Sequence, residues 1–193
     1  MEKKDYFKTE LSYIKDETYR NDAAYLISIL PDYFFEVPAS STGKYHPAFA
    51  STKSGLVKHT KVAVRIAKEL LDNETVGGKF TPREKDLIIV ALLLHDGLKH
   101  GVEGGKYTMF DHPLQASKFI MENKDNLKMD TFDIRFVCTL IESHMGQWTY
   151  DSYKHEDVLP KPVNAASRFV HMCDFLSSKK FLDVKFNDLE IDG

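Results

Sequence analysis

The sequence predicts an all-α fold, a single helical domain spanning residues 1–193. Three observations predict it. Apolar residues recur at spacings of three and four in several long windows, the mark of one buried helical face. The windows are separated by Gly, Pro, Asn and Asp rather than joined by low-complexity linkers. No stretch carries a convincing two-residue alternation of the kind a sheet needs. The 193 residues, 42% hydrophobic and 28% charged, suffice for one buried core and match ordinary globular composition.

Residues from about 5 to 30 predict one or two amphipathic helices, stopped by Pro31. "PDYFFEVPASSTGKYHPAFASTKSG" then predicts a long irregular segment, and its length and aromatics point to a functional loop. A helix follows from about Leu56 to Leu71, where Leu56, His59, Ala63, Ile66 and Leu70 share a face. Thr81-Pro82-Arg83-Glu84 predicts the next start, with Thr81 as cap, Pro82 in the first helical position and Glu84 closing a capping box. That helix runs to about His95 and is apolar nearly all round in its second half, so it is expected at the centre. Asp111 or His112 opens a helix to about Asn123. Another is expected from about Thr131 to Met145, with Ile134, Val137, Ile141 and His144 on one face and Gly146 as its stop. The last runs from about Asn164 to Leu182, with Ala166, Val170 and Cys173 inward and Asp174 beside them. The tail "FLDVKFNDLEIDG" is left without an assignment.

Composition excludes some functions. Lys and Arg number 26 against 29 Asp and Glu, a net charge of −3. That lacks the basic footprint of a protein that wraps long nucleic acid, yet permits a small anionic substrate held by local cations. The longest apolar run, Leu87 to Leu94, is too short to span a bilayer. "MEKKDYFKTEL" lacks the apolar region of a secretory signal, so a cytoplasmic location is expected. Cys138 and Cys173 lie in apolar helical segments and read as buried thiols.

The chemistry lies in "IIVALLLHDGLKHG", where an apolar run ends in His95-Asp96. Burying either group without a partner is costly. His59, His112, His144 and Asp174 stand at comparable places on other segments. One histidine on an apolar face is commonly a satisfied core residue, but several on different helices would each need a separate partner. A mixed His and carboxylate set suits Zn, Mn, Fe, Co or Ni. Six ligands exceed the needs of one ion. A workable division places His59, His95, Asp96 and Asp174 on one metal, with Asp96 bridging to a second held by His112 and His144. Paired ions of this kind activate water and neutralise a phosphoryl group.

The ordered pattern His59 … His95-Asp96 … Asp174 resembles the HD-domain metal-dependent phosphohydrolase superfamily. "SGLVKHT", "LLLHDGLKHG" and "VHMCDFLSSKK" are similar to its first-histidine, His-Asp and closing-aspartate helices, and Lys99 stands where a lysine typically follows. The likeness covers about residues 40–182, and "HPAFASTKSGLVKHT" and "ESHMGQW" look closest to dinuclear, exoribonuclease-type members. It implies an all-helical fold of HD type and hydrolysis of a phosphoester with one or two divalent transition metals. Two departures stand out. His144 is followed by Met145, where many dinuclear phosphodiesterases of the superfamily have a second histidine. No Gly-Tyr-Pro motif of the cyclic dinucleotide class follows Lys99.

The expectation is therefore an enzyme that cleaves a phosphoester of a nucleotide or short single-stranded oligonucleotide by metal-activated water. Asp96 would bridge metals or position the water, and Lys99 would offset developing charge. Lys44 and His46, in the loop before the His59 helix, together with Lys99 and Trp148 are the candidates for substrate contact. "SSTGKYHP" is no phosphate loop, for it lacks the upstream glycine and has Tyr45 where Ser or Thr is required. Tyr107 could also stack a base, His100 and His171 could orient ligands, and His155 reads as solvated. Two alternatives stand beside the hydrolase. One is an HD-type di-iron oxygenase, since the six-ligand count suits two irons. The other is a non-catalytic module that senses a nucleotide or pairs with another subunit.

Overall fold

A computed structural model describes residues 2–40 and 46–192. It is mostly helical. After a 3-10 turn at Lys3–Phe7 come α1 (Lys8–Leu11), α2 (Glu17–Ser28), α3 (Gly55–Asp72), α4 (Glu74–Gly77), α5 (Pro82–Leu94), α6 (His112–Glu122), α7 (Thr131–Glu142) and α8 (Ala165–Ser177). Among the described residues, two hairpins of two-residue strands interrupt the pattern, β1 (Tyr150–Asp151) with β2 (Glu156–Asp157) and β3 (Phe186–Asn187) with β4 (Glu190–Ile191), both antiparallel. The unassigned tail forms the second hairpin. Among the described residues no helix is long and apolar enough to cross a membrane.

The sequence explains why α5 is central. Every residue from Asp86 to Leu94 is buried, so the helix needs apolar neighbours on all sides. It finds them in α2, α3, α7 and α8, while α6 packs on α7. Its start is the expected capping box, with Thr81 and Glu84 reciprocally bonded and Pro82 in the first turn. The core helices end where local chemistry competes with the helical ladder. Ser177 and Ser178 hydroxyls donate back to the carbonyls of Asp174 and Phe175, both at 2.7 Å, and α8 stops at Ser177 rather than near Leu182. α7 ends at Glu142, short of the expected Met145. Its chain tightens into i→i+3 turns from His144 N–H to the Ile141 carbonyl and from Gly146 N–H to the Ser143 carbonyl. His144 is thus delivered by a turn, not by a helical face.

The irregular segment after Pro31 contains 3-10 turns at Asp32–Phe35 and Ala48–Ser51. It is stitched to the start of α3 by Ala39 N–H to the Ala50 carbonyl and Leu56 N–H to the Val37 carbonyl. Gly55 makes this approach possible, because a Cβ there would lie 2.1 Å from the Ala50 carbonyl oxygen. The seam sets His46 edge-on to His59, ring centroids 4.9 Å apart. Lys44 lies outside the described residues.

Buried charges tie distant parts of the chain. Lys61, fully buried on α3, reaches Glu10 of α1 at 2.9 Å and Glu190 of β4 at 2.8 Å. Asp22 accepts from the main-chain N–H groups of Lys128 and Met129, and Asp86 from those of Lys15 and Asp16. Both cysteines are buried free thiols.

Candidate metal centre

Five segments deliver six side chains to one place. His59 comes from α3, His95 and Asp96 from the end of α5, His112 from the first residue of α6, His144 from the turn after α7, and Asp174 from α8. All but Asp174 are buried, and 18% of the Asp174 side chain remains accessible.

The ring orientations are set by outer partners. Nδ1 of His95 lies 2.7 Å from the Leu92 carbonyl, that of His112 2.7 Å from the Met109 carbonyl, and that of His144 2.7 Å from the Ile141 carbonyl. A carbonyl only accepts, so each Nδ1 carries a proton and Nε2 is left as the nitrogen that would ligate. His59 reaches the same state by another route. The Ser177 hydroxyl spends its proton on the Asp174 carbonyl and so accepts from His59 Nδ1 at 3.0 Å. All four Nε2 atoms therefore point inward.

They converge on two carboxylates. Asp96 Oδ2 lies 3.6 Å from His59 Nε2 and 3.5 Å from His95 Nε2, whereas its Oδ1 faces His112 Nε2 at 3.0 Å and His144 Nε2 at 3.8 Å. Asp174 Oδ1 completes the first half, 2.9 Å from His59 and 3.4 Å from His95. One oxygen of Asp96 thus faces each half. His59 Nε2, His95 Nε2 and Asp96 Oδ1 are buried without an aligned hydrogen-bond partner. Donors around an ion with ligand bonds of about 2.1 Å stand roughly 3–3.5 Å apart, close to these separations. His59, His95 and Asp174, and likewise His95, Asp96 and His144, could each hold a metal ion. The residues present fit such a group.

The electrostatics agree with a cation site. Burial alone would raise both carboxyls, but Lys99, His95 and His112 overcome it at Asp96, and His59 and His95 overcome it at Asp174. Both are held well below the usual carboxylate range. Burial pushes His59 down, and pushes His144 down to about 3 with help from His95. His95 alone is raised, because Asp96 and Asp174 outweigh its burial. Two ionised carboxylates among imidazole Nε2 atoms form a mixed oxygen and nitrogen donor set of the kind a transition-metal cation takes.

The centre forms the floor of a cavity of about 540 Å³. Of the other residues singled out in the sequence, Lys99, His46 and Trp148 line it. Lys99 is buried and paired with Asp96 Oδ2 at 2.6 Å. His46 is neutral, pushed down to about 3 by burial and then by His59, and its Nδ1 has no partner. Trp148 is 45% exposed. The structure does not bring His100, Tyr107, His155 or His171 to the cavity. His100 stacks on Tyr33 at 5.4 Å, Tyr107 stands 60% exposed, and His155 is exposed in the β1–β2 turn. His171 lies behind the wall, its Nδ1 donating to the His144 carbonyl at 2.7 Å. Ser177, Phe175 and Lys179 were missed. Ser177 stands one turn past Asp174, but nothing in a single sequence says that His59 lies opposite.

Comparison of the chain with family models, with curated proteins and with solved structures returned no match.

Proposed function

We propose that the protein is an HD-type metal-dependent phosphohydrolase that cleaves a phosphoester of a nucleotide or short oligonucleotide. One observation carries this reading: Asp96 turns one oxygen toward His59 and His95 and the other toward His112 and His144. A carboxylate shared in this way suits paired ions, with Asp174 on the first half. Ions bound there supply water activated near neutral pH and offset phosphoryl charge.

The chain's own groups account for the rest. Outer hydrogen bonds hold the four imidazoles in the ligating tautomer before anything binds, which spares reorganisation. Lys99, beside Asp96 and on the cavity wall, supplies positive charge where a phosphate would sit. His46, edge-on to His59, lines the same cavity.

Hydrolysis tests this directly. Bis-p-nitrophenyl phosphate, nucleoside mono- and triphosphates, cyclic nucleotides and short single-stranded RNA are each run with Mn, Ni, Co or Fe, with Asp96→Asn as control. Turnover that needs both metal and Asp96 is expected. Full turnover by Asp96→Asn, or none from protein holding two metals, overturns the reading. The same six ligands also suit a two-iron, oxygen-activating centre. Retention of two irons with oxygen consumption and no phosphate release would select it.

A further inference from the structure

The turn that delivers His144 also carries an aromatic side chain into the cavity. His144, Gly146 and Trp148 donate main-chain N–H bonds to the carbonyls of Ile141, Ser143 and Met145 in succession. His171 locks this turn from behind through its bond to the His144 carbonyl. Gly146 is what lets the ring in. Its φ is 67°, and a Cβ at that position would lie 2.2 Å from His171 Cε1. Just beyond, Thr149 is pinned by its hydroxyl to Asp157 Oδ1 at 2.6 Å and by Val158 N–H to its carbonyl.

Trp148 is therefore held at a set place relative to His144. Its ring stacks on Phe175 at 5.8 Å with an interplanar angle of 24°, and it meets His171 at 6.1 Å. Phe175 directly follows Asp174 in the chain, so both halves of the wall are tethered to ligands of the floor. Lys179, one turn further along, sets Nζ 3.3 Å from the Phe175 ring centre. Yet Trp148 remains 45% exposed and lines the same cavity as Asp96, His112, His144 and Asp174. About 540 Å³ lies within the usual range of small-molecule sites, roughly 300–1,000 Å³.

A His/Asp floor whose bound cations would face an anion, opposite a half-open indole held in place by its turn, matches one ligand chemistry: an anionic group joined to a flat aromatic ring. We propose that Trp148 is the platform on which a nucleobase stacks while the phosphate sits against the His/Asp floor, so that the substrate is a nucleoside phosphate. This rests on the phosphohydrolase reading for the place of the phosphate. Stacking is tolerant of base identity, because every base offers a π-face. The platform therefore separates nucleotides from phosphoesters without a base, rather than one base from another.

Trp148 is the sole tryptophan of the chain, so its emission reports on the platform without turnover. Metal-loaded protein is titrated with adenosine, adenosine 5′-monophosphate and ribose 5-phosphate. The first two quench the emission and the third does not. The ratio of kcat/KM for adenosine 5′-monophosphate to that for ribose 5-phosphate falls by roughly ten-fold or more in Trp148→Leu and is largely kept in Trp148→Phe. Unchanged emission at saturating nucleotide, or an unchanged ratio in Trp148→Leu, overturns the platform. Quenching with no hydrolysis of these monoesters or of the diesters named above supports the platform and overturns the phosphohydrolase reading. Release from both esters without quenching overturns the platform alone.

Discussion

His112 and His144 face each other Nε2 to Nε2 at 3.3 Å, while each donates its Nδ1 proton to a main-chain carbonyl. With the proton of each ring placed on Nδ1, the two Nε2 atoms meet as acceptor to acceptor. Asp96 Oδ1, 3.0 Å from His112, adds a third electron-rich atom. A cation among the three turns a repulsive contact into a favourable one.

Metal binding should accordingly stabilise the fold. Addition of Mn, Co, Ni or Zn at about a thousand times the dissociation constant should raise Tm by about 10 °C for a chain of this size. Differential scanning calorimetry with and without chelator measures it. No shift with any of these ions would count against the centre.

Ser177 has no contact with the cavity, yet it sets the tautomer of His59. Ser177→Ala removes the acceptor for His59 Nδ1 and frees the ring to rotate. Metal affinity should fall by roughly 10–100-fold, read by calorimetric titration, with the helical circular dichroism unchanged. Unchanged affinity would mean that the hydroxyl serves only the end of α8.

Lys61 and Glu10 form a buried pair, 0% and 2% exposed. Lys61→Met leaves Glu10 without its counter-charge and should cost about 3–5 kcal/mol in urea unfolding. The double change Lys61→Met with Glu10→Met removes both charges and should recover most of that loss. Equal losses in the single and double variants would refute the pairing as the cause.

Metal-free protein should lose stability on mild acidification. His46 and His144 are both pushed down to about 3, first by burial, while the unfolded chain protonates them near 6.5. Their contribution is complete above about pH 6.5 and drains away as pH falls toward 3, because the unfolded state takes up protons that the folded state refuses. Asp96 and Asp174, held low, keep their contribution above about pH 4 and lose it below. The urea midpoint in chelator should fall between pH 6.5 and 4, less steeply in His46→Gln. A flat profile over that range would contradict the neutral burial of these rings.

Local interactions made much of this protein legible in its sequence. The capping box at Thr81 and Glu84, the all-round apolar surface of α5 and the three-and-four spacing around His59 are decided within a few residues, and all appear in the structure. Helix ends were less legible. The serines that close α8 and the turns that close α7 compete with the helix by margins that no period reveals. The hairpin strands are only two residues long and leave no alternation to read.

The sequence by itself determined which residue types were available to a centre and that they lay on separate segments. It could not determine which nitrogen of each imidazole faces inward, because that depends on carbonyls and a serine supplied by the folded neighbourhood. Nor could it place Trp148 on Phe175 or His171 beneath Gly146, since these contacts join α8 to the turn after α7 across more than twenty residues. Tertiary packing alone decided that the two oxygens of Asp96 face different histidine pairs. Side-chain direction is set by what the helix packs against, and only the assembled core supplies that.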